Sequence, residues 1–249
     1  MIKSLKILKH QGKQYIPDVV KAEVPGIFKG RPVITTSKVD EQALCEICPT
    51  KAILPGPVRI DLGRCVFCGE CAARFPEKIK FTKDNKIATN LRQALVVTEG
   101  NDQPIAFEES LVRKEIRQLF KRSLKLRQVS AGGDNSAEME LNAANNVNFD
   151  MGRFGIEFVA SPRHADGLVI TGPISKNMAE ALQLCYEATP DPKIIILAGT
   201  DAISGGIFED SPAIDRSFLQ RYPVDLYVPG NPPHPLTFIN GVLKLLGRR

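Results

Sequence analysis

The sequence predicts a protein of two domains, an α+β domain at the amino terminus followed by an α/β domain with a parallel sheet. Five of the six cysteines lie within residues 45–71, so cysteine chemistry is confined to the first part. Residues 1–105 are rich in Pro, Lys and short β-type runs, whereas β-branched runs alternate with helical patterns beyond residue 150. We therefore expect a first domain over 1–105, a connecting segment over 106–130 and a second domain over 131–249.

The composition is that of a globular protein, with 43% hydrophobic and 24% charged residues. A formal net charge of +5 is too weak to indicate a nucleic-acid partner. No window reaches about 18 uninterrupted apolar residues, so no transmembrane helix is predicted. The opening MIKSLKILKHQGKQYIP lacks the continuous apolar centre of a secretory signal. We expect a cytoplasmic protein, in which clustered cysteines bind metal or stay free rather than form disulfides.

The cysteine-rich segment follows the spacing of an iron–sulfur motif. Cys65, Cys68 and Cys71 keep two-residue gaps in GRCVFCGECAARFP, but Phe75 replaces the expected fourth cysteine. In two-cluster bacterial ferredoxins the fourth cysteine of each motif, the one before proline, ligates the other cluster. Cys48 directly precedes a proline and therefore occupies the fourth position of a first motif. The crossed pairing predicts one [4Fe–4S] cluster bound by Cys48, Cys65, Cys68 and Cys71.

The counterpart cluster has lost its ligands. Counting back from Cys48, the other three positions of the first motif hold Lys38, Glu41 and Leu44. None of these supplies a thiolate, and Phe75 removes the remaining one. The sequence therefore predicts one cluster rather than two.

Two alternatives stay open for the cysteines. A zinc site on Cys45, Cys48, Cys65 and Cys68 would match the C-x2-C … C-x2-C spacing of zinc ribbons, but it would leave Cys71 unused. The other alternative is a set of ordinary buried thiols. If the cluster is present, Cys45 is a spare thiol beside it or an extra ligand.

A basic amphipathic helix is predicted over residues 108–127, EESLVRKEIRQLFKRSLKLR. Apolar residues from Leu111 to Leu124 recur near helical spacing, with lysines and arginines opposite. We expect the helix either to pack on its own domain with a solvated basic face, or to contact anionic lipid headgroups or an acidic partner.

Four β-branched runs predict strands of a parallel sheet, at 155–160, 167–171, 193–198 and 224–228. Helical patterns cover residues 175–188 and 235–247. Three of the strands run into glycine, and open α/β sheets place their sites at the carboxyl ends of parallel strands. We therefore expect the segments that follow these strands to form one crevice: 172–175, 199–206 and 230–233.

At these residues the sequence resembles a known family. The first part resembles the polyferredoxin-type subunit of group 4 membrane-bound [NiFe] hydrogenases and formate hydrogenlyases, with GIFKGRPVI matching their GFRGKP-like stretch. The remainder resembles the hydrogenase small subunit of those complexes, which is homologous to the 20 kDa subunit of complex I. The matching text is KRSLKLRQVSAGG, DMGRFGIEFVASPRHADGLVITGPISKNM, YEATPDPKIIILAGTDAISGGIF and YPVDLYVPGNPPHP. The resemblance implies a ferredoxin-like α+β fold for the first domain and a flavodoxin-like parallel sheet for the second.

The resemblance also implies that the second domain has lost the ligands of a cluster. In that family the C-terminal domain holds a [4Fe–4S] cluster through four cysteines in GSCNGCE-, GxCA- and PGCPP-like stretches. Here Asp134, Ala137, Asp201 and Asn231 occupy those positions. A cluster without any thiolate is not expected, so this crevice should hold none. The oxygen ligands, with Glu138 nearby, would suit Mg²⁺ or proton exchange, or would simply fill the vacated space.

The resemblance implies an iron–sulfur electron-transfer subunit of a membrane-associated oxidoreductase complex, similar to energy-converting hydrogenase-related complexes, without independent enzymatic activity. The implied partners are a hydrogenase- or complex I-like large subunit and membrane-arm subunits, with the chain lying peripherally on the inner face of the cytoplasmic membrane. Two other functions stay open: a non-catalytic assembly subunit of an ion-translocating complex with a structural cluster, and a dimeric ferredoxin-like carrier.

Overall fold

The structure, a computed structural model, describes residues 2–12 and 14–248. The elements of the first part are α1 (Ile2–Gln11), β1 (Pro32–Ile34), α2 (Glu41–Glu46), β2 (Ile53–Leu54), β3 (Arg59–Asp61), α3 (Glu70–Arg74), β4 (Ile79–Phe81), β5 (Val96–Thr98) and α4 (Lys114–Leu119). Those of the second part are β6 (Leu124–Ser130), α5 (Ser136–Ala143), β7 (Ile156–Phe158), β8 (Gly167–Thr171), α6 (Lys176–Ala188), β9 (Ile194–Ala198), α7 (Thr200–Ser204), α8 (Ser217–Arg221), β10 (Leu226–Val228) and α9 (Pro235–Leu245). No helix within these ranges is long and apolar enough to cross a bilayer.

The first part contains two small antiparallel sheets. β1 pairs with β4, and β3 lies between β2 and β5. From β1 to β4 the order is strand, helix, strand, strand, helix, strand, so α2 and α3 occupy equivalent places in two consecutive halves. Asp40 caps α2 by accepting a hydrogen bond from the Ala43 amide at 3.0 Å, which fixes where this helix begins.

The second part is built on a five-stranded sheet in the order β10-β9-β8-β6-β7, and every pairing is parallel. This confirms the predicted parallel sheet, its four predicted strands and the helices α6 and α9. All residues of β8 and β9 are buried, as expected for parallel strands covered on both faces. The strand order reverses between β6 and β8, as in flavodoxin-like folds, and open sheets of this type bind ligands at such a reversal.

The predicted helix over 108–127 is wrong except at Lys114–Leu119. Within that range the α-helix is α4 alone, and the LKLRQVS segment is β6, an interior strand of the sheet between β8 and β7. Leu124 and Leu126 are fully buried while Lys125 points to Glu157, an alternation with the period of a strand. The two-residue period was hidden because the same leucines also satisfy the spacing of the preceding helical pattern.

The first part covers one face of the sheet. Leu44 and Ile60 share a hydrophobic core with Ile170 and Leu197, whose neighbours along β8 and β9 face the other way. The opposite face packs against helices, through residues such as Ile116 of α4, Leu141 of α5 and Phe238 of α9. The cysteine-bearing segment is therefore held directly on the sheet.

Candidate metal centre

Four cysteines from separate turns line one cavity of about 20 Å³: Cys48, Cys65, Cys68 and Cys71. Cys48 ends the turn after α2, Cys65 follows β3, and Cys71 lies in the first turn of α3. Cys65 and Cys71 are 8% exposed, whereas Cys68 is open to solvent. None of them forms a disulfide. The residues of the predicted cluster set are thus brought together, and Cys45 lies outside the cavity lining.

Backbone amides point at two of the sulfur atoms. The Ala52 amide donates to Cys48 Sγ at 3.2 Å, and the Phe67 amide donates to Cys65 Sγ at 3.4 Å. Phe67 and Gly69 both have positive φ, 53° and 84°, which turns the loop around the cavity. Amide donors stabilise thiolate over thiol, so the loop is shaped for anionic sulfur.

Burial and the neighbouring cysteines both raise the pKa values of the buried thiols. Burial, followed by the neighbouring cysteines, raises the pKa of Cys65 far above its usual range. Burial and then Cys68 raise the pKa of Cys71 to about 11. Buried thiolates at such close range therefore need a cationic partner, which the irons of a cluster would supply while protons are released.

The donor set consists of sulfur alone, which is the ligand type of an iron–sulfur cube and also of a structural zinc site. No three His, Cys, Asp or Glu side chains in the described residues are placed to hold one metal ion. Four sulfurs around one zinc at about 2.3 Å would lie about 3.8 Å apart, whereas a cube binds each thiolate at a different iron. The four cysteines reach this cavity from two segments of the chain, the turn at Cys48 and the loop 65–71, as a cluster with four separate irons needs.

The four positions at which the resemblance implied lost ligands lie at the carboxyl end of the sheet. Asp134 follows β6, Asp201 follows β9 and Asn231 follows β10. A Cβ added to Gly199 would lie 3.7 Å from the Cβ of Ala137. The segments after β9 and β10 approach each other, because the Thr200 amide donates to the Gly230 carbonyl at 2.8 Å, and those after β6 and β8 do so where Gly172 lies against Gly133. Arg216 donates to carbonyls of the segments after β8 and β9, so the segments expected to form the crevice lie together at this edge of the sheet.

The carboxylates of this crevice differ in environment. Asp134 accepts from the Ser136 hydroxyl at 2.6 Å and amide at 2.9 Å, which lowers its pKa. Burial and then the charge of Asp134 raise the pKa of Asp201, with Arg216 acting in the opposite sense. Glu138 is 5% exposed and accepts from the hydroxyls of Ser130 and Thr171 at 2.5 and 2.6 Å. Hydroxyl donors thus tie this buried carboxylate to the ends of β6 and β8.

Arg216 is a site residue that the sequence reasoning missed. Its guanidinium donates to the carbonyls of Asp201, Ala202 and Ile203 at 3.3, 2.8 and 2.9 Å, and to Pro173 at 3.1 Å. It therefore satisfies the carbonyls of the short helix α7 that carries Asp201. In the sequence it is a single arginine in the stretch SPAIDRSF, which is too common a signal to single it out.

The cysteine loop sits directly on the crevice. The Thr200 hydroxyl donates to the Cys65 carbonyl at 2.8 Å, and both groups are buried. Arg64 forms an ion pair with Glu209, and a Cβ on Gly63 would lie 2.8 Å from Ile203. The backbone of a candidate cluster ligand is thus held by the residue next to Asp201.

Replacing Asp201 by asparagine is expected to stabilise the protein at neutral pH by about 1 kcal/mol, because the cost of burying a charged carboxylate disappears. The folded pKa of Asp201 lies above the unfolded value of 3.8, so the contribution of this group to stability is greatest in acid. That contribution is lost as pH rises from 3.8 through the raised folded pKa. Urea unfolding across this range should show a shallower fall in the variant. A destabilised variant at neutral pH, or an unchanged slope, would contradict the assignment.

The second part matches a family model. Residues 135–245 match the model described as NADH ubiquinone oxidoreductase, 20 Kd subunit. The chain is 40% identical over 142 residues to a probable membrane-bound hydrogenase subunit of Pyrococcus furiosus, covering 56% of this chain and 85% of that protein. It is 38% identical over 150 residues to formate hydrogenlyase subunit 7 of Escherichia coli, covering 59% of each.

Two further similarities concern respiratory complexes. The chain is 46% identical over 108 residues to the NADH-quinone oxidoreductase B subunit of Heliobacterium modesticaldum, covering 43% of this chain and 62% of that protein. A chain in the structure of the membrane-bound sulfane sulfur reductase, an archaeal respiratory membrane complex, aligns with a TM-score of 0.47 and 29% identity over 57% of this chain and 75% of that one. The parallel sheet, its crevice and the sequence similarities together identify the chain as a member of the NADH:ubiquinone oxidoreductase 20 kDa subunit family, which includes the small subunits of related membrane-bound hydrogenases.

Proposed function

We propose that this chain is an electron-transfer subunit of a membrane-associated oxidoreductase complex and carries one [4Fe–4S] cluster in its first part. The observation that carries the proposal is the convergence of Cys48 with Cys65, Cys68 and Cys71 on one cavity. The strand–helix–strand, strand–helix–strand order of residues 32–81 supports a ferredoxin-like fold there. The proposed boundaries are a ferredoxin-type domain over 1–105, a connection over 106–130 and the family domain over 131–249.

When bound, the cluster would accept and release one electron at a time. The chain's own residues would bind and orient the cluster. The thiolates would come from Cys48, Cys65, Cys68 and Cys71. The amides of Ala52 and Phe67 would stabilise the negative charge on sulfur by hydrogen bonding. Thr200 would hold the Cys65 backbone in place.

The C-terminal crevice is proposed to hold no cluster. Asp134, Ala137, Asp201 and Asn231 stand at the four ligand positions that the resemblance implied, and none carries sulfur. Ala137 has no ligating atom at all. Electrons that reach the first-part cluster would therefore leave by a route other than the family's inner cluster.

The partners proposed from the relatives are a large subunit related to hydrogenases and complex I, and subunits of a membrane arm. Relatives of the family domain are named as subunits of a membrane-bound hydrogenase, formate hydrogenlyase and NADH-quinone oxidoreductase. The chain would then sit peripherally on the membrane, on its inner face.

A reductive titration tests electron transfer. Anaerobically prepared protein should give an electron paramagnetic resonance signal of about one spin per chain on reduction with dithionite, and oxidation should reverse it over repeated cycles. Absence of a reducible signal in protein that contains iron and sulfide would contradict an electron-transfer role.

The same titration decides the second candidate function, a structural subunit of an ion-translocating complex. The shared core of the two parts favours this candidate, because Leu44 and Ile60 pack with residues of the sheet as structural elements do. A cluster that serves structure alone should resist reduction, while its removal should lower the midpoint of urea unfolding.

A further inference from the structure

One lysine lies against the proposed cluster loop. A Cβ added to Gly69, which stands between Cys68 and Cys71, would lie 2.4 Å from Lys29 Cε and 3.4 Å from Lys29 Nζ. Gly69 has a φ of 84°, a conformation that side chains rarely adopt. A glycine at this position therefore leaves the space that the end of the lysine side chain occupies, and the exposed lysine lies beside the loop.

Three other charged side chains near this loop have ion-pair partners. Glu70 pairs with Arg74 at 2.6 Å, Lys51 with Asp210 at 3.2 Å, and Arg64 with Glu209. Among the described residues, by contrast, Lys29 forms no ion pair and no side-chain hydrogen bond. Its positive charge is therefore not offset by a neighbouring carboxylate.

Apart from Glu70, two further acidic side chains act near the cysteines, at Cys45. Glu41 and Glu46 both act on the thiol of Cys45 and raise its pKa, after the larger effect of burial. Glu41 accepts from the Gly56 amide at 3.0 Å, and Glu46 accepts from Gln42 at 2.7 Å. Lys29 thus lies at Gly69, whereas these two carboxylates act at Cys45 and pair with other groups.

We infer that Lys29 raises the reduction potential of the proposed cluster by placing an uncompensated positive charge beside it. Reduction adds one electron to the cluster from the donor, so its net charge becomes more negative by one. A nearby fixed cation stabilises the reduced form more than the oxidised form, and the effect weakens as salt screens it. This inference rests on the cluster proposed above, and Lys29 acts on it as a positioning charge rather than as a ligand.

Potentiometric titration of a charge series tests it, with dithionite as reductant and the spin signal as readout. At the wild-type midpoint potential, the ratio of reduced to oxidised cluster should fall about threefold in Lys29→Gln and about tenfold in Lys29→Glu. A tenfold change corresponds to about 59 mV for a one-electron couple. Lys29→Arg should restore the wild-type ratio, and raising the ionic strength from about 0.02 M to about 1 M should shrink all the differences.

Lys114→Gln provides the matched control, since it removes one positive charge at the far side of the sheet. The neighbouring Arg113 binds the Lys193 carbonyl before β9, whereas Thr200 beside Cys65 follows β9. Five strand residues at about 3.3 Å each separate the two ends by about 16 Å. The control should leave the ratio unchanged.

The outcomes separate the inference from the proposed function. Equal midpoint potentials across the Lys29 series, in protein that contains the cluster, would overturn the role of Lys29. They would not affect the proposal that the chain binds a cluster. A shift of the midpoint potential that is the same for Lys29→Arg and Lys29→Glu would also overturn the role of Lys29, as would a shift that persists at high salt. A wild type that shows no reducible cluster would instead overturn the proposed function.

Discussion

Replacing Cys71 by serine is expected to reduce bound iron from about four atoms per chain to below one, because a cube that lacks one of four thiolates is poorly held. Cys71 is 8% exposed, so water is badly placed to substitute for the lost ligand. The variant should be purified without oxygen beside the wild type, and iron and acid-labile sulfide should be counted in both. Loss of sulfide together with iron would show that a cluster, rather than a metal ion, has gone.

Cys45→Ser is the matched comparison, because the two ligand sets disagree on these two residues alone. The cluster set includes Cys71 and excludes Cys45, whereas the zinc-ribbon set includes Cys45 and excludes Cys71. We expect the Cys45 variant to keep its iron, since this thiol lies outside the cavity lining. Metal retained by the Cys71 variant and lost from the Cys45 variant would contradict the proposed ligands and support zinc. Cys185→Ser, on α6, should behave as the wild type.

Replacing Gly172 by alanine is expected to lower the free energy of unfolding by about 3 kcal/mol, through strained backbone and a steric clash. Gly172 has a φ of 74°, and an added Cβ would lie 2.4 Å from the Gly133 nitrogen. The neighbouring atom is backbone of the loop that carries Asp134, so it cannot swing away as a side chain does. Urea unfolding followed by circular dichroism measures the difference.

Gly152→Ala is the control for that substitution. An added Cβ there meets no atom within 4 Å, so alanine fits without strain. We expect its unfolding free energy to stay within about 0.5 kcal/mol of the wild type. Equal stability of the Gly172 and Gly152 variants would show that the loops after β6 and β8 do not pack as closely as described.

The parallel sheet was predictable because its strands carry their own signal. GLVIT and KIIILA are continuous β-branched runs that end at glycine, and both form fully buried strands. β6 was missed because LKLRQVS follows directly on a helical pattern, and local spacing alone does not distinguish a central strand from the end of an amphipathic helix. Its parallel pairing with β8 decides the matter, and that pairing spans about forty residues of sequence.

Part of the candidate site was likewise predictable from the sequence, and part was not. Cysteine spacing along the chain was enough to group Cys48 with Cys65, Cys68 and Cys71, because metal ligands must come from closely spaced backbone. The bond from Thr200 to the Cys65 carbonyl joins residues 135 positions apart, and no local pattern announces it. The roles of Arg216 and Glu138 likewise depend on carbonyls and hydroxyls that only the folded sheet brings near.

The most direct test of a single first-part cluster is elemental analysis of the anaerobically purified wild type. We predict about four iron and about four acid-labile sulfide per chain, and no stoichiometric zinc. About eight of each would mean that the chain binds a second cluster and would contradict the single-cluster account. One zinc without sulfide would contradict the electron-transfer role altogether.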